Sequence, residues 1–156
     1  MHIKKLILGP LETNCYILEK NAKQLIIDPA DEYEKIKKYI SNPQAILITH
    51  YHFDHIGALD EIKKEYNIPV YDYKSLGNVE VGNFVFSVIP TKGHHETCVC
   101  FVFDNIIFVG DLIFKYGVGR TDLETGDAML MTQSLNKIKA YKGYIAYPGH
   151  EDEFTI

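Results

Sequence analysis

The chain has 156 residues, of which 46% are hydrophobic, enough for one domain with a sizeable core. Its net charge of -5 at neutral pH disfavours a general nucleic-acid binder, because phosphate contacts need clustered lysines and arginines. The N-terminus lacks the pattern of a secretory leader and no apolar run approaches membrane-spanning length, so we expect a cytoplasmic protein without a membrane partner.

Apolar periodicity and turn residues predict strands and helices that alternate along the chain. Helices are predicted at residues 31–40, 58–66 and 128–139, with Ile36, Tyr39 and Ile40 on the inner face of the first. The predicted strands are residues 5–8, 15–19, 24–27, 45–48, 70–71, 84–89, 98–103, 106–109 and 144–147. No repeat, low-complexity segment or linker interrupts this order, which predicts a single α/β domain.

Side chains that bind metals are concentrated directly after the predicted strand 45–48. The stretch His50-Tyr51-His52-Phe53-Asp54-His55 holds three of the seven histidines and a carboxylate within six residues. Imidazole and carboxylate are ligands that borderline divalent metals such as zinc favour. His50 and His52 are two residues apart, so an extended backbone turns both to the same side. Asp54 and His55 follow where the chain must leave the strand, and we expect them to reach a second metal.

Three more predicted strands end in a residue that can bind metal. The strand 84–89 is followed by His94, the strand 106–109 by Asp111, and the strand 144–147 by His150. A glycine precedes each of the three and allows the backbone to turn sharply. Strands that deliver ligands from their ends can converge on one edge of a sheet, where α/β proteins commonly place their sites. This convergence argues against a surface loop that is merely rich in histidine.

With these segments in this order, the chain resembles the metallo-β-lactamase-fold hydrolases, and among them the small glyoxalase II-like (hydroxyacylglutathione hydrolase-like) proteins. The resemblance runs from about residue 11 to residue 150. Its markers are His50-Tyr51-His52-Phe53-Asp54-His55, Gly93-His94, Gly110-Asp111, Gly117-Val118-Gly119-Arg120-Thr121-Asp122-Leu123 and Pro148-Gly149-His150. It implies an αββα sandwich, with two sheets flanked by helices and the site along the sheet edge that they share. Residues 1–156 would form a single metallo-β-lactamase-like domain, without the C-terminal helical domain of full-length glyoxalase II.

The resemblance also implies a ligand set for two divalent metal ions. His50, His52 and His94 would hold the first ion, and Asp54, His55 and His150 the second, with Asp111 between them. Zinc is the expected metal, and iron or manganese would suit the same mixed set. Bound metal lowers the pKa of water from about 15.7 to roughly 7, so a metal-bound hydroxide would attack a carbonyl at neutral pH. Asp54 would orient this nucleophile or shuttle a proton.

The implied activity is hydrolysis of a small thioester such as S-lactoylglutathione or a related acyl-thiol. The first alternative is a persulfide dioxygenase-like oxidoreductase, with one iron held by His50, His94 and Asp111. The second alternative is a lactonase or other ester hydrolase of the same fold. We expect a small-molecule substrate and no nucleic-acid or membrane partner. We expect the protein to be a monomer or a small homo-oligomer.

Two residues are candidates for substrate binding. Arg120 occupies the loop position where glyoxalase II enzymes place a basic residue toward glutathione, and an arginine fork suits a carboxylate. The competing interpretation is an ion pair that holds the loop, with Asp122, Glu124 or Asp127 as the partner. Tyr116 is the second candidate for the pocket.

For five other residues, the sequence predicts either a structural role or two alternative roles. Asp28 supports the metal loop from beneath, as in the family, or caps a turn. His95 falls where the family usually has a small polar residue, and we expect it to line the pocket or form a nearby hydrogen bond rather than bind metal. Cys15 is predicted in the core, and Cys98 and Cys100 are expected to be buried thiols, with a redox or metal role as the alternative.

Overall fold

The computed structural model describes residues 1–156 and contains two large sheets. The first sheet has the strand order β1-β2-β3-β4-β5, with antiparallel pairing up to β3 and parallel pairing from β3 to β5. Its strands are β1 (His2–Leu8), β2 (Thr13–Lys20), β3 (Lys23–Ile27), β4 (Pro43–Leu47) and β5 (Val70–Tyr71).

The second sheet comes from the C-terminal half of the chain, in the order β13-β12-β9-β8-β7-β6. Only β12 and β9 pair in parallel, and β10 and β11 form a separate two-stranded ribbon. The strands are β6 (Gly77–Val81), β7 (Phe84–Pro90), β8 (Val99–Val102), β9 (Ile106–Gly110), β10 (Ile113–Phe114), β11 (Gly117–Val118), β12 (Ile145–Pro148) and β13 (Phe154–Thr155).

Helices cover the outer face of each sheet. Helices α1 (Tyr33–Lys37) and α2 (Leu59–Tyr66) bury Ile36 and Ile62 against the first sheet, and α3 (Ala128–Ile138) buries Met131 against the second. Between the sheets lies an aromatic core that includes Tyr16, Phe101 and Phe108. These layers form the αββα sandwich of the metallo-β-lactamase type that the sequence predicts. None of the helices combines the length and apolar content that crossing a membrane requires.

The first helix is shorter than predicted. It covers Tyr33–Lys37 rather than residues 31–40, because Glu32 has a left-handed backbone (φ 50°) and cannot be its first turn. Ile36 and Ile40 are buried as expected, but Tyr39 is 42% exposed, so its place on the inner face is wrong. Its ring instead lies under the Lys4 ammonium group, 4.3 Å from the ring centroid.

The four strands that lead into the ligands do not belong to one sheet. β4 lies in the first sheet, whereas β7, β9 and β12 lie in the second. The ligands therefore do not converge on the edge of one sheet; the strand ends of the two predicted sheets meet instead. The backbone N–H of Val99 donates to the Thr49 carbonyl (2.9 Å), which joins the end of β4 to the second sheet.

Candidate metal centre

Three histidines form the first group of ring nitrogens. His50 and His52 follow β4, and His94 follows β7. Nδ1 of His52 lies 3.0 Å from Nε2 of His50 and 2.9 Å from Nε2 of His94. All three donor atoms lie within 4.8 Å of one another, a spacing at which one cation can bind them together. Three protein ligands with room for a fourth are typical of a catalytic zinc site.

The second group contains two histidines and a carboxylate. His55 and Asp54 come from the one-turn 3-10 helix Phe53–His55, and His150 follows β12. Oδ2 of Asp54 lies 3.5 Å from Nε2 of His55 and 3.3 Å from Nε2 of His150. These three donor atoms also lie within 4.8 Å of one another.

Asp111 stands between the two groups at the end of β9. Its Oδ2 atom lies 3.5 Å from Nε2 of His94 and 3.4 Å from Nε2 of His150. Its Oδ1 atom lies 3.4 Å from Nε2 of His55. The structure thus brings all seven of the expected ligands into one cluster, with Asp111 adjacent to both halves.

Asp28 forms the floor beneath the cluster. Its Oδ1 accepts from the Thr49 backbone N–H (2.7 Å) and its Oδ2 accepts from the Thr49 hydroxyl (2.6 Å). Oδ2 also lies 2.9 Å from Nδ1 of His55. Of its two interpretations, support of the metal loop is therefore the one observed. These contacts direct Nε2 of His55 toward the cluster.

Other ligand side chains are oriented by groups that sequence reasoning missed. The carbonyl of Arg120 accepts from Nδ1 of His94 (2.8 Å), and the carbonyl of Leu11 lies 3.1 Å from Nδ1 of His150. Such backbone contacts leave no signal in a sequence. The hydroxyl of Thr13 donates to Oδ2 of Asp54 (2.8 Å). A signal existed for Thr13, because it and Asn14 are polar residues directly before the apolar run Cys15-Tyr16-Ile17-Leu18.

The glycines beside the ligands have two different roles. Gly110 has a φ of 52°, and a Cβ there would lie 2.6 Å from the Thr49 hydroxyl. The backbone of Gly149 does not have a positive φ, so a sharp turn does not explain why glycine stands at this position. A Cβ on Gly149 would instead lie 2.2 Å from Oδ1 of Asp111 and 2.6 Å from Cε1 of His55. Only glycine leaves room for these two side chains.

Two rings of the first group, His50 and His52, are neutral at physiological pH. Burial lowers the pKa of His50 well below its ordinary value, and the neighbouring His55 lowers it further. Burial and the nearby His94 lower the pKa of His52 to about 4. Unprotonated imidazole is the form that binds metal, so these rings need no proton loss before they bind.

The second group is a network of opposite charges. Burial disfavours a charged His55, but contacts with Asp111 and Asp28 outweigh it and raise the pKa of His55 to about 10. Burial likewise opposes a charged His150, and Asp111 and Asp54 raise its pKa to about 9. The two histidines in turn hold the pKa of Asp54 at about 2 and that of Asp111 well below its ordinary range, although burial opposes both ionised carboxylates.

The cluster has the features that a divalent metal would satisfy. Nε2 of His55 and Oδ1 of Asp111 are buried and neither has a hydrogen-bond partner, which costs free energy unless a ligand satisfies them. Protons on His55 and His150 supply the positive charge that the two carboxylates need. Cations would replace those protons and bind both orphaned atoms. The donor set therefore fits divalent metal ions.

The residues on the rim have varied surroundings. Nε and Nη2 of Arg120 donate to the two carboxylate oxygens of Asp122 at 2.7 and 2.8 Å, so Asp122 is the ion-pair partner among the three expected acids. Tyr116 is 85% exposed and, with Lys115 and Leu11, lines a cleft of about 430 Å³ that reaches His150.

His95 and the three cysteines have the surroundings that the sequence predicts. Nδ1 of His95 lies 2.8 Å from the Thr97 hydroxyl, so His95 forms a nearby hydrogen bond. Cys15, Cys98 and Cys100 are all buried and free.

The model of the Metallo-beta-lactamase superfamily matches residues 8–78 and 72–150 of the chain. The chain belongs to this superfamily. Two relatives illustrate its range. "Probable metallo-hydrolase YqgX" of Bacillus subtilis (strain 168) is 30% identical over 175 residues, which cover 88% of this chain and 83% of the relative. "Hydroxyacylglutathione hydrolase" of Francisella tularensis subsp. novicida (strain U112) is 35% identical over 171 residues, covering 97% of this chain and 68% of the relative.

Solved structures of the same fold agree closely with this chain. The crystal structure of the BLEG-1 B3 metallo-beta-lactamase superposes with a TM-score of 0.91 at 31% identity and covers 99% of this chain and 94% of that one. The structure of TTHA1623 in a di-iron-bound form gives a TM-score of 0.85 at 30% identity. The match covers 97% of this chain and 94% of TTHA1623. The fold and the clustered histidines and carboxylates thus define a member of the metallo-hydrolase superfamily with a candidate site for divalent metal.

Proposed function

We propose that this protein is a dinuclear metal-dependent hydrolase of a small thioester, with S-lactoylglutathione or a related acyl-thiol as substrate. The observation that carries the proposal is the position of Asp111, whose Oδ2 lies 3.5 Å from Nε2 of His94 and 3.4 Å from Nε2 of His150. One carboxylate between two sets of ligands suits a pair of cations, which repel unless anions separate them. The di-iron form of TTHA1623 and the hydroxyacylglutathione hydrolase relative add support.

The chain's own residues have separate tasks in this proposal. The first ion would be held by His50, His52 and His94. The second ion would be held by Asp54, His55 and His150. Asp111 would contribute to the binding of both ions. When bound, the ions supply Lewis acidity, which makes hydroxide available at neutral pH and polarises a substrate carbonyl.

Asp54 orients the attacking oxygen rather than acting as a base. Burial opposes its ionisation, but in the metal-free protein His150 and His55 hold its pKa at about 2. A bound cation would likewise favour the ionised carboxylate, which makes Asp54 a weak proton acceptor in both states. The Thr13 hydroxyl fixes the carboxylate by donating to its Oδ2 at 2.8 Å. A fixed, permanently ionised carboxylate accepts a hydrogen bond in one direction and so sets the position of a water molecule.

A cysteine nucleophile is disfavoured by the environment of every thiol in the chain. Burial raises the pKa of Cys15 and Cys98, and burial raises that of Cys100 to about 12. The thiolate is the nucleophilic form, so these cysteines are inert at neutral pH. A redox or metal role for Cys98 and Cys100 is disfavoured for the same reason.

The cleft beside His150 would receive the substrate. Its volume of about 430 Å³ suits a small molecule, and Leu11, Lys115 and Tyr116 lie on its walls. We place the acyl group of the substrate here, with the carbonyl carbon at Asp111 between the two groups of ligands and the sulfur on the side of the first group. Tyr116 would then contact the acyl group.

The first experiment is S-lactoylglutathione hydrolysis by metal-free protein reconstituted separately with zinc, manganese and ferrous iron. Metal content per chain is measured by elemental analysis in parallel. We expect two ions per chain and turnover that depends on them. His52→Ala should lose metal and nearly all turnover while remaining folded, and His2→Ala, an exposed histidine outside the cluster, should behave as the wild type.

The other outcomes separate the alternatives. Two bound ions without thioester turnover would overturn the thioester proposal and direct the search to lactones and other esters. One iron per chain, with oxygen consumption on a persulfide, would replace the hydrolase by a persulfide dioxygenase. Full activity of His52→Ala would refute the ligand assignment itself.

A further inference from the structure

His95 has one ring nitrogen held by the chain and the other free. The backbone N–H of Thr97 donates to Nδ1 of His95 at 3.2 Å, so this nitrogen accepts. The Thr97 hydroxyl accepts from the Tyr51 backbone N–H at 3.1 Å and lies 2.8 Å from the same Nδ1, to which it can donate its own hydrogen. These partners place the ring hydrogen of a neutral His95 on Nε2.

Nε2 of His95 is therefore a donor in every charge state. It carries hydrogen in this neutral tautomer and equally in the imidazolium form. None of the hydrogen bonds or ion pairs within the chain uses it; both side-chain hydrogen bonds of His95 involve Nδ1. His95 is only partly buried, so a bound molecule can reach the ring.

The ring stands beside the first group of ligands. The centroid of His95 lies 4.7 Å from that of His52 and 6.2 Å from that of His50. The neighbouring Thr97 hydroxyl faces Nδ1 of His95 and is already engaged. His95 is thus a fixed and uncommitted donor beside the first group of ligands.

We propose that Nε2–H of His95 donates a hydrogen bond to the leaving sulfur of the substrate, an inference that rests on the proposed thioester hydrolysis. In that reaction a C–O bond forms to hydroxide and the C–S bond breaks, with its electron pair passing to sulfur. The thiolate then takes its proton from solvent. The ions and Asp54 serve the attacking and carbonyl oxygens, so sulfur is the remaining atom that gains charge and lacks a partner. A preorganised donor at this atom accelerates bond cleavage.

A pair of isosteric variants tests the proposal. The amide nitrogen of glutamine reaches approximately the position of Nε2 in histidine, whereas that of asparagine reaches only the position of Nδ1. His95→Asn should therefore lower kcat/KM for an alkyl thioester about 10- to 100-fold, the effect of one hydrogen bond to a charged atom. His95→Gln should retain most of the activity. Metal content should stay at the wild-type value in both, and His2→Asn is the matched control.

The leaving group supplies the decisive comparison. An aryl thioester with the same acyl group releases a stabilised thiolate that needs little help, so His95→Asn should lose much less activity on it than on the alkyl thioester. Equal losses on the two substrates, or no loss on either, would overturn the role at sulfur. Wild-type protein that hydrolyses neither substrate would refute the proposed function instead, which is a separate result.

A second measurement does not depend on activity. In zinc-loaded protein, nitrogen-15 chemical shifts with long-range couplings to the ring protons report which nitrogen of His95 bears hydrogen. We expect an unprotonated Nδ1 and a protonated Nε2. The opposite tautomer would leave no donor toward the site and would overturn the proposal whatever the kinetics show.

Discussion

Oδ2 of Asp28 lies 2.9 Å from Nδ1 of His55, and both side chains are buried, His55 within the metal cluster and Asp28 beneath it. This contact fixes the direction of the His55 ring and makes the ring a better metal ligand, because the carboxylate increases its basicity. The same carboxylate accepts two hydrogen bonds from Thr49, so it also fixes the start of the metal loop.

Replacement of Asp28 should weaken metal binding from outside the ligand set. We predict that Asp28→Asn lowers metal affinity about 10- to 100-fold, the usual effect of losing such a partner. Competition with a chromophoric chelator measures the affinity. Asp31→Asn is the matched control, because Asp31 is an exposed neighbour that contacts no ligand. Unchanged affinity in Asp28→Asn would mean that His55 is oriented by the rest of the fold.

Gly149 offers a way to disturb the cluster without removing a ligand. The Cβ of Gly149→Ala would lie 2.2 Å from Oδ1 of Asp111 and 2.6 Å from Cε1 of His55, so one of these side chains must move. We predict fewer than two ions per chain and a large loss of turnover in a protein that remains folded. Elemental analysis and circular dichroism test this. Gly117→Ala, which has nothing within 4 Å of its new Cβ, should keep both ions.

The metal-free protein should depend on pH in a way that the metal-loaded protein does not. Contacts with Asp111, despite the opposing effect of burial, raise the pKa of His55 to about 10 and that of His150 to about 9, from an ordinary value of 6.5. A group whose pKa is raised by folding contributes its full stabilisation at pH values below its pKa in the unfolded chain. The contribution is lost as the pH rises through its pKa in the folded protein. We therefore predict that the metal-free protein becomes less stable between pH 7 and pH 10, because this contribution disappears there.

Metal should displace the same protons, since only unprotonated imidazole is a ligand. Urea unfolding at several pH values, with and without metal, tests the stability. Calorimetric titration of metal at pH 7 in buffers with different ionisation enthalpies tests the proton release, to which His55 and His150 should each contribute. A binding enthalpy independent of the buffer would contradict both rings being protonated in the metal-free protein.

The positions of the ligands were predictable because their signals are local. Each ligand follows an apolar strand at a turn, and strand ends meet at predictable edges of layered α/β folds. The assignment of strands to sheets was not predictable from the same signals, because pairing of β12 with β9 depends on contacts far apart in sequence. The polar strand β6 and the two-residue strands β10, β11 and β13 were missed, since they carry little apolar periodicity.

The orientation of the ligand side chains is harder to predict from the sequence than their positions. That Nδ1 of His52, rather than Nε2, faces the other rings follows from the exact course of the loop after β4. The same holds for the Arg120 and Leu11 carbonyls that hold the far sides of His94 and His150. The role of Asp28 was predictable only as one of two alternatives, because a carboxylate after a strand can also cap a turn.

The ion pair between Arg120 and Asp122 leads to the last prediction. Both side chains are mostly exposed, so the pair is screened by water and a substrate carboxylate can compete with Asp122 for the guanidinium group. If Arg120 binds substrate, Asp122→Asn should lower the KM for an anionic thioester and Arg120→Ala should raise it, with kcat nearly unchanged in both. A neutral thioester with the same acyl group should show neither effect. Identical KM values for the two variants and the wild type on the anionic substrate would assign Arg120 to holding the loop alone.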